Sequence, residues 1–179
     1  MVENHQGHGT GSSAAGHPRE GAAQTIRFAV VTASDTRTIE EDTAGAALVD
    51  LIAEDGWETV SHVICKDDRG EISAAIVEAC NLDVDIVITC GGTGLSPRDV
   101  TPEATADVCD RNVPGIAEAM RAYSLAITGR AMLSRAVCMQ RGRVIVVNFP
   151  GSEKAARENW AAIHEQFAHA VKMAGGGGH

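Results

Sequence analysis

Asp85-Ile-Val-Ile-Thr-Cys-Gly-Gly-Thr-Gly-Leu-Ser-Pro-Arg-Asp-Val-Thr-Pro-Glu-Ala-Thr105 reads as a buried strand that runs into a glycine-rich loop and then into a helix. The strand is Ile86-Val87-Ile88, apolar and β-branched between turn formers, as a parallel strand covered on both faces requires. Gly91, Gly92 and Gly94 let the backbone come close to a ligand, Thr93 adds a hydroxyl, and the successive N–H groups form a cradle suited to phosphate. Thr101-Pro102-Glu103 supplies a capping residue, a proline at the first helical position and an acid in the first turn, so a helix starts there. A loop between a strand and a helix lies outside the carboxyl end of the sheet, where open α/β sheets bind ligands. Taken alone, Gly-Gly-Thr-Gly marks only a tight turn. It has neither the Gly-Lys-Ser/Thr of a Walker loop nor the Gly-x-Gly-x-x-Gly spacing of a dinucleotide site.

Upstream, Ile26 to Ser34 reads as a central strand, followed by a polar loop from Asp35 to Asp42. Thr43 to Asp55 carries apolar residues at 44, 47, 48, 51 and 52, the helical spacing, and Gly56 ends it. Trp57 to Cys65 is a second strand, the charged run Lys66-Asp67-Asp68-Arg69 breaks it, and Glu71 to Cys80 is a second helix. The order is βαβαβ by residue 90, which predicts the α/β class with a mostly parallel central sheet flanked by helices. Downstream, Asn112 to Gly115 predicts a turn and Ile116 to Ala126 a helix with Ala117, Met120 and Leu125 inward. Two short strands, Ser134 to Met139 and Arg143 to Asn148, precede one final helix from Glu153 to Met173, with Ala156, Trp160, Ile163, Phe167 and Val171 along one stripe. Ser152 would cap that helix and leave its first N–H groups as a second anion site.

The 179 residues suit one domain, expected over 25–173. A Gly-, Ser-, Ala- and His-rich tail at 1–24 is expected to be disordered, and a glycine run makes 174–179 a flexible end. His5, His8 and His17 lack the spaced partners of a metal site. Aromatic residues are only 3%, so the core must be built from Ala, Val, Ile and Leu, which suits helices packed on a parallel sheet. A net charge of -9 argues against nucleic acid as a partner, and no apolar run approaches a membrane span. Five cysteines without a Cys-x-x-Cys pair, and without a secretory signal before them, predict reduced thiols and a cytoplasmic protein.

Two backbone anion sites, at 91–94 and 151–152, are thus expected on one sheet edge. Asp35, Asp67, Asp68, Asp99, Lys66, Arg69, Arg98 and Arg135 flank them. Carboxylates beside phosphate sites make electrostatic sense when a divalent cation lies between, and Mg²⁺ binds one or two carboxylates together with phosphate oxygens.

The run Gly91 to Thr105 resembles the signature of the MoaB/Mog family of molybdopterin-binding proteins. Thr32 to Arg37, Lys66 to Arg69, Leu133 to Val137 and Asn148 to Lys154 are similar to the family's other blocks, in the same order, so the resemblance covers Ile26 to Val171. It implies a three-layer molybdopterin-binding fold. Lys66 and the Pro-Gly-Ser-x-Lys-Ala run from Pro150 to Ala155 look more like MoaB than Mog.

The reaction it implies belongs to molybdenum cofactor biosynthesis. The terminal phosphate of molybdopterin attacks the α-phosphorus of Mg-ATP and pyrophosphate leaves. Carried over residue by residue, the family's two functional aspartates fall at Asp67 and Asp99, as catalytic groups that hold Mg²⁺. Gly91, Gly92, Thr93 and Gly94 would contact phosphate or pterin, and Ser34, Asp35, Ser134, Arg135, Pro150, Gly151 and Ser152 would complete the substrate pocket. The implied partners are molybdopterin and ATP, further copies of the chain in a trimer or hexamer, and other molybdenum cofactor biosynthesis proteins. Two alternatives share the pocket: a non-catalytic molybdopterin carrier or assembly partner, and a nucleotide hydrolase resembling CinA-type proteins.

Overall fold

A computed structural model of the protein describes residues 25–177; the segments 1–24 and 178–179, on which the expected tails fall in whole or in part, lie outside them. The described residues form one sheet of β1 (Arg27–Ala33), β2 (Glu58–Cys65), β3 (Ile86–Cys90), β4 (Arg111–Asn112), β5 (Cys138–Arg141) and β6 (Val144–Phe149), in the order β2-β1-β3-β6-β5-β4. The first four in that order are parallel, β5 runs antiparallel to β6, and β4 antiparallel to β5. The helices are α1 (Thr43–Glu54), α2 (Arg69–Cys80), α3 (Thr101–Val108), α4 (Pro114–Leu125), α5 (Glu153–Ile163) and α6 (Phe167–Ala174). None is long and apolar enough to cross a membrane.

Successive side chains of a strand point to opposite faces, and both faces are covered. Phe28 and Val30 of β1 join Ile86, Ile88, Ile145 and Val147 beneath α1, α4, α5 and α6, whereas Ala29 and Val31 join Val87 and Val146 beneath α2 and α3. This is the three-layer α/β arrangement the sequence predicts. The chain leaves β1 for β2 on one side and then crosses to β3 on the other, so the order in which the parallel strands are added reverses between β1 and β3. Loops that follow these two strands diverge and open a crevice between them.

Several expected elements are placed differently. The strand expected at Ser134–Met139 is shifted to Cys138–Arg141, because the residues before Cys138 turn toward the glycine loop, where the Arg135 N–H donates to the Thr93 carbonyl at 3.0 Å. The turn expected at 112–115 contains the end of β4, paired with Met139 and Gln140, and α4 starts at Pro114. Leu125 is exposed rather than inward; Ser124 takes the buried place at the end of α4. Thr101 is the first residue of α3 and not its cap, which is Val100. The single final helix is two helices, α5 and α6, separated by a tight turn at His164–Gln166. That turn redirects the chain so that Phe167 enters the core beside Phe28 and Trp160. At the carboxyl end, Ala174 closes α6 and the N–H groups of Gly175, Gly176 and Gly177 fold back onto the carbonyls of Val171, Met173 and Lys172.

Candidate functional site

The parallel strands β2, β1, β3 and β6 deliver four segments to their common carboxyl edge: 66–68, 34–42, 91–99 and 150–152. The glycine loop is shaped by close packing. Gly91 and Gly92 have φ of +99° and +62°, a region that favours glycine, and a Cβ on Gly91 would lie 2.8 Å from the Ala33 carbonyl oxygen. A Cβ on Gly92 would collide with the hydroxyl of Thr101, which is buried and has no hydrogen-bond partner among the described residues. Gly91 N–H continues the ladder to the Phe149 carbonyl at 3.0 Å; the N–H groups of Gly92, Thr93 and Gly94 meet no protein acceptor among the described residues. They make the donor cradle.

Arg135 holds that cradle in place. Its Nε donates to the Gly94 carbonyl at 2.7 Å, and its two terminal nitrogens engage Glu103 and the Asp99 carbonyl. The Arg135 guanidinium thereby braces the loop that forms the pocket wall. Below it, Asn148 of β6 donates to Thr89 at 2.8 Å and to Thr105 at 2.9 Å, tying β3 and α3 to β6 in the buried layer.

Asp99 lies at the far end of the loop, where Oδ2 accepts from the Ser96 N–H at 2.8 Å. Asp67 reaches the same space from β2. Partial burial and then the charge of Asp99 raise its carboxyl above the usual carboxylate range, against a smaller opposing pull from Arg37. The charge of Asp99 thus reaches Asp67, the other aspartate of the expected pair. Asp67 and Asp35 also exchange backbone bonds: Asp35 N–H to Asp67 Oδ2 at 3.2 Å and Asp67 N–H to Asp35 Oδ1 at 3.3 Å. Ser34 Oγ accepts from the N–H groups of Thr36 and Arg37 and so shapes the loop after β1, while Asp35 pairs with Arg98 across the crevice. On the β6 side, Cys90 Sγ donates to the Pro150 carbonyl at 3.4 Å, Gly151 packs on Gly91, and Ser152 caps α5 through the Ala155 N–H. Ser134 Oγ accepts from Ala136 N–H at the rim.

Other expected neighbours are spent on the scaffold. Asp68 caps α2, and Arg69 forms a two-pronged pair with Asp107 of α3 at 2.6 Å for both contacts. Lys66 stays exposed. Two residues that sequence reasoning did not single out are central. Arg37 donates to the Gly151 carbonyl at 3.0 Å and faces Asp67; its position after β1 was the available signal. Asp42, read as part of a polar loop, is 1% exposed and accepts from Thr32, Gly45 and His62. Only its place just before an apolar helical pattern hinted at a cap.

Among the described residues, no three His, Cys, Asp or Glu side chains gather as a self-sufficient metal cage. Two facing carboxylates beside vacant N–H donors instead suit a hard divalent cation that takes most of its oxygen ligands from phosphate and water.

Residues 29–170 match the family described as probable molybdopterin binding domain. The molybdenum cofactor biosynthesis protein B of Bacillus cereus is 42% identical over 139 residues, 76% of this chain and 82% of that protein. The molybdopterin adenylyltransferase of Helicobacter pylori is 35% identical over 155 residues, 84% of this chain and 88% of that protein. A crystal structure of a molybdenum cofactor biosynthesis protein B superposes with a TM-score of 0.82 at 38% identity, covering 87% of this chain and 99% of the other.

Proposed function

The chain belongs to the molybdopterin-binding domain family of molybdenum cofactor biosynthesis, and from that premise we propose that it is a molybdopterin adenylyltransferase acting on Mg-ATP. A phosphate oxygen of molybdopterin forms a bond to the α-phosphorus of ATP. The bond from that phosphorus to the bridging oxygen of the leaving diphosphate breaks, and pyrophosphate departs with the electron pair. Phosphoryl chemistry of this kind is governed by placement and charge neutralisation. What supports the reading is that Asp67, bonded to Asp35, and Asp99, packed against Gly94, flank the edge where the N–H groups of 92–94 meet no acceptor among the described residues. Mg²⁺, arriving with the nucleotide, would be held by these two carboxylates and would neutralise charge on the phosphates. The chain's own groups do the rest: the loop N–H groups and Ser152's helix end bind phosphate oxygens, and Arg37 and Arg98 supply positive charge at the two walls.

The test is AMP incorporation into molybdopterin at saturating Mg²⁺. Asp99→Asn keeps the shape and the Ser96 bond but removes a charge, and is expected to lower kcat about a hundred- to a thousandfold, corresponding to roughly 3–4 kcal/mol. Asp67→Asn should behave alike, and the double variant should lose far less than the sum, since both act through one ion. A wild-type protein that binds pterin yet transfers no AMP would establish the carrier role instead.

We also propose that the protein works as a homo-oligomer, a trimer or hexamer. Tyr123, Leu125, Ile127, Met132 and Leu133 leave a run of large apolar side chains exposed at the end of α4 and in the segment after it, next to Ser134 at the site rim, and a second copy would cover them. Other molybdenum cofactor biosynthesis proteins are natural neighbours for a protein that receives and passes on a pterin. The five free cysteines suit a reducing compartment such as the cytoplasm.

A further inference from the structure

The loop 33–41, which brings Ser34, Asp35 and Arg37 to the site, is bracketed by Thr32 and Asp42. Its upper part is exposed and touches the rest of the site through surface contacts, two bonds between Asp35 and Asp67, the Asp35–Arg98 pair and Arg37 to Gly151, each of a kind that contributes little alone. Its base is different. The buried Asp42 carboxylate accepts from Thr32 Oγ1 of β1 at 2.5 Å, from Gly45 N of α1 at 3.0 Å, and bonds His62 Nε2 of β2 at 2.9 Å. Three elements meet on one side chain. Burial pushes its carboxyl up, but the bonds from Thr32, Gly45 and His62 together outweigh that and hold it below the usual carboxylate range. The helix leaves room for the arrangement, since a Cβ on Gly45 would collide with both Asp42 Oδ2 and His62 Nε2.

We propose that Asp42 is a positioning residue, which with Thr32 and His62 clamps the base of the 33–41 loop and so sets Asp35 and Arg37 against Asp67 and Gly151. This deepens, and rests on, the adenylyl-transfer reading of the same site. A side chain that only capped α1 would need just the Gly45 bond. Two variants separate the roles. Asp42→Ser keeps a good capping oxygen but is too short to span to Thr32 and His62, whereas Thr32→Val removes one arm of the clamp and leaves the cap intact.

Both variants are compared with wild type well below their melting temperatures, by AMP-transfer kinetics and by hydrogen–deuterium exchange. The clamp predicts that Asp42→Ser lowers kcat/KM for Mg-ATP by about tenfold, the worth of roughly one hydrogen bond to a charged group. Thr32→Val is expected to lie between it and wild type, with Asp42→Asn restoring much of the loss. Faster exchange should be confined to residues 33–41. Unchanged kinetics and unchanged loop exchange in Thr32→Val, or a lowered melting temperature as the sole effect of Asp42→Ser, would overturn the proposal. Should wild type transfer no AMP, the enzymatic reading fails by itself, and loop exchange still decides the clamp; should Asp42→Ser not fold, Thr32→Val decides it.

Discussion

Asp67 is a carboxylate held where charge is unwelcome. Its acidity is weakened by burial and by Asp99, so its ionised form opposes folding: the group favours the folded state at pH below its unfolded value and loses that contribution as pH rises through the raised one. Without a divalent cation, Asp67→Asn should therefore leave the melting temperature at pH 7 unchanged or higher, a stability gain bound to a loss of function. Calorimetry that found it several degrees lower would contradict the repulsion. Asp42 has the opposite sign. Its lowered pKa means stability that is present above the unfolded value of about 4 and is lost as pH falls through the folded one. Asp42→Asn should thus melt lower than wild type at neutral pH, with the gap closing below about pH 4. Neither sign could be read from the sequence. Asp42 pairs with His62 only because β2 lies beside β1 in a register that sets His62 opposite Val30, and that register is a tertiary fact. Asp99 was legible because it sits inside a specific motif, and Asp67 because it follows a strand in the matching block.

Among the elements, the final helical stretch is the most instructive difference. Of the 3.6-residue stripe Ala156, Trp160, Ile163, Phe167 and Val171, the first four are buried and Val171 is half-buried against the same core. The break at His164–Gln166 was not legible, because no proline or glycine marks it; the turn is imposed by the ring of Phe167 seating among Phe28, Trp57 and Trp160 at centroid distances of 5.7, 6.2 and 5.5 Å. Phe167→Ala should cost about 3–5 kcal/mol, as large-to-small changes at fully buried aromatic sites do. Urea denaturation measures this directly, and a loss under about 1 kcal/mol would show that the turn, not the ring, organises the segment. The segment 134–137, expected as strand, instead turns toward the glycine loop, because the Arg135 side chain is held there by the Gly94 carbonyl, a contact the local sequence does not reveal.

At the scale of the molecule, the βαβαβ half was fully legible, because β1 and β3 are buried on both faces and therefore nearly continuous in apolar residues. The antiparallel extension β5-β4 was half hidden, as β4 is two exposed residues long. How copies associate is a test of the exposed side chains from Tyr123 to Leu133: light scattering at micromolar concentration should report a trimer or hexamer, and Met132→Glu with Leu133→Glu should shift it toward monomer. An unchanged mass in the double variant would place the contact elsewhere.

The aromatic cluster has one more consequence, for anyone who handles the protein. Its two tryptophans, Trp57 and Trp160, both pack around Phe28 at the amino end of the strands, a strand's length, roughly 15–20 Å, from the glycine loop. Both tryptophans therefore watch the core rather than the site. Their emission will report when the chain unfolds and change little when a nucleotide, which does not absorb where tryptophan emits, arrives, so a flat fluorescence titration with ATP is not a sign that nothing has bound.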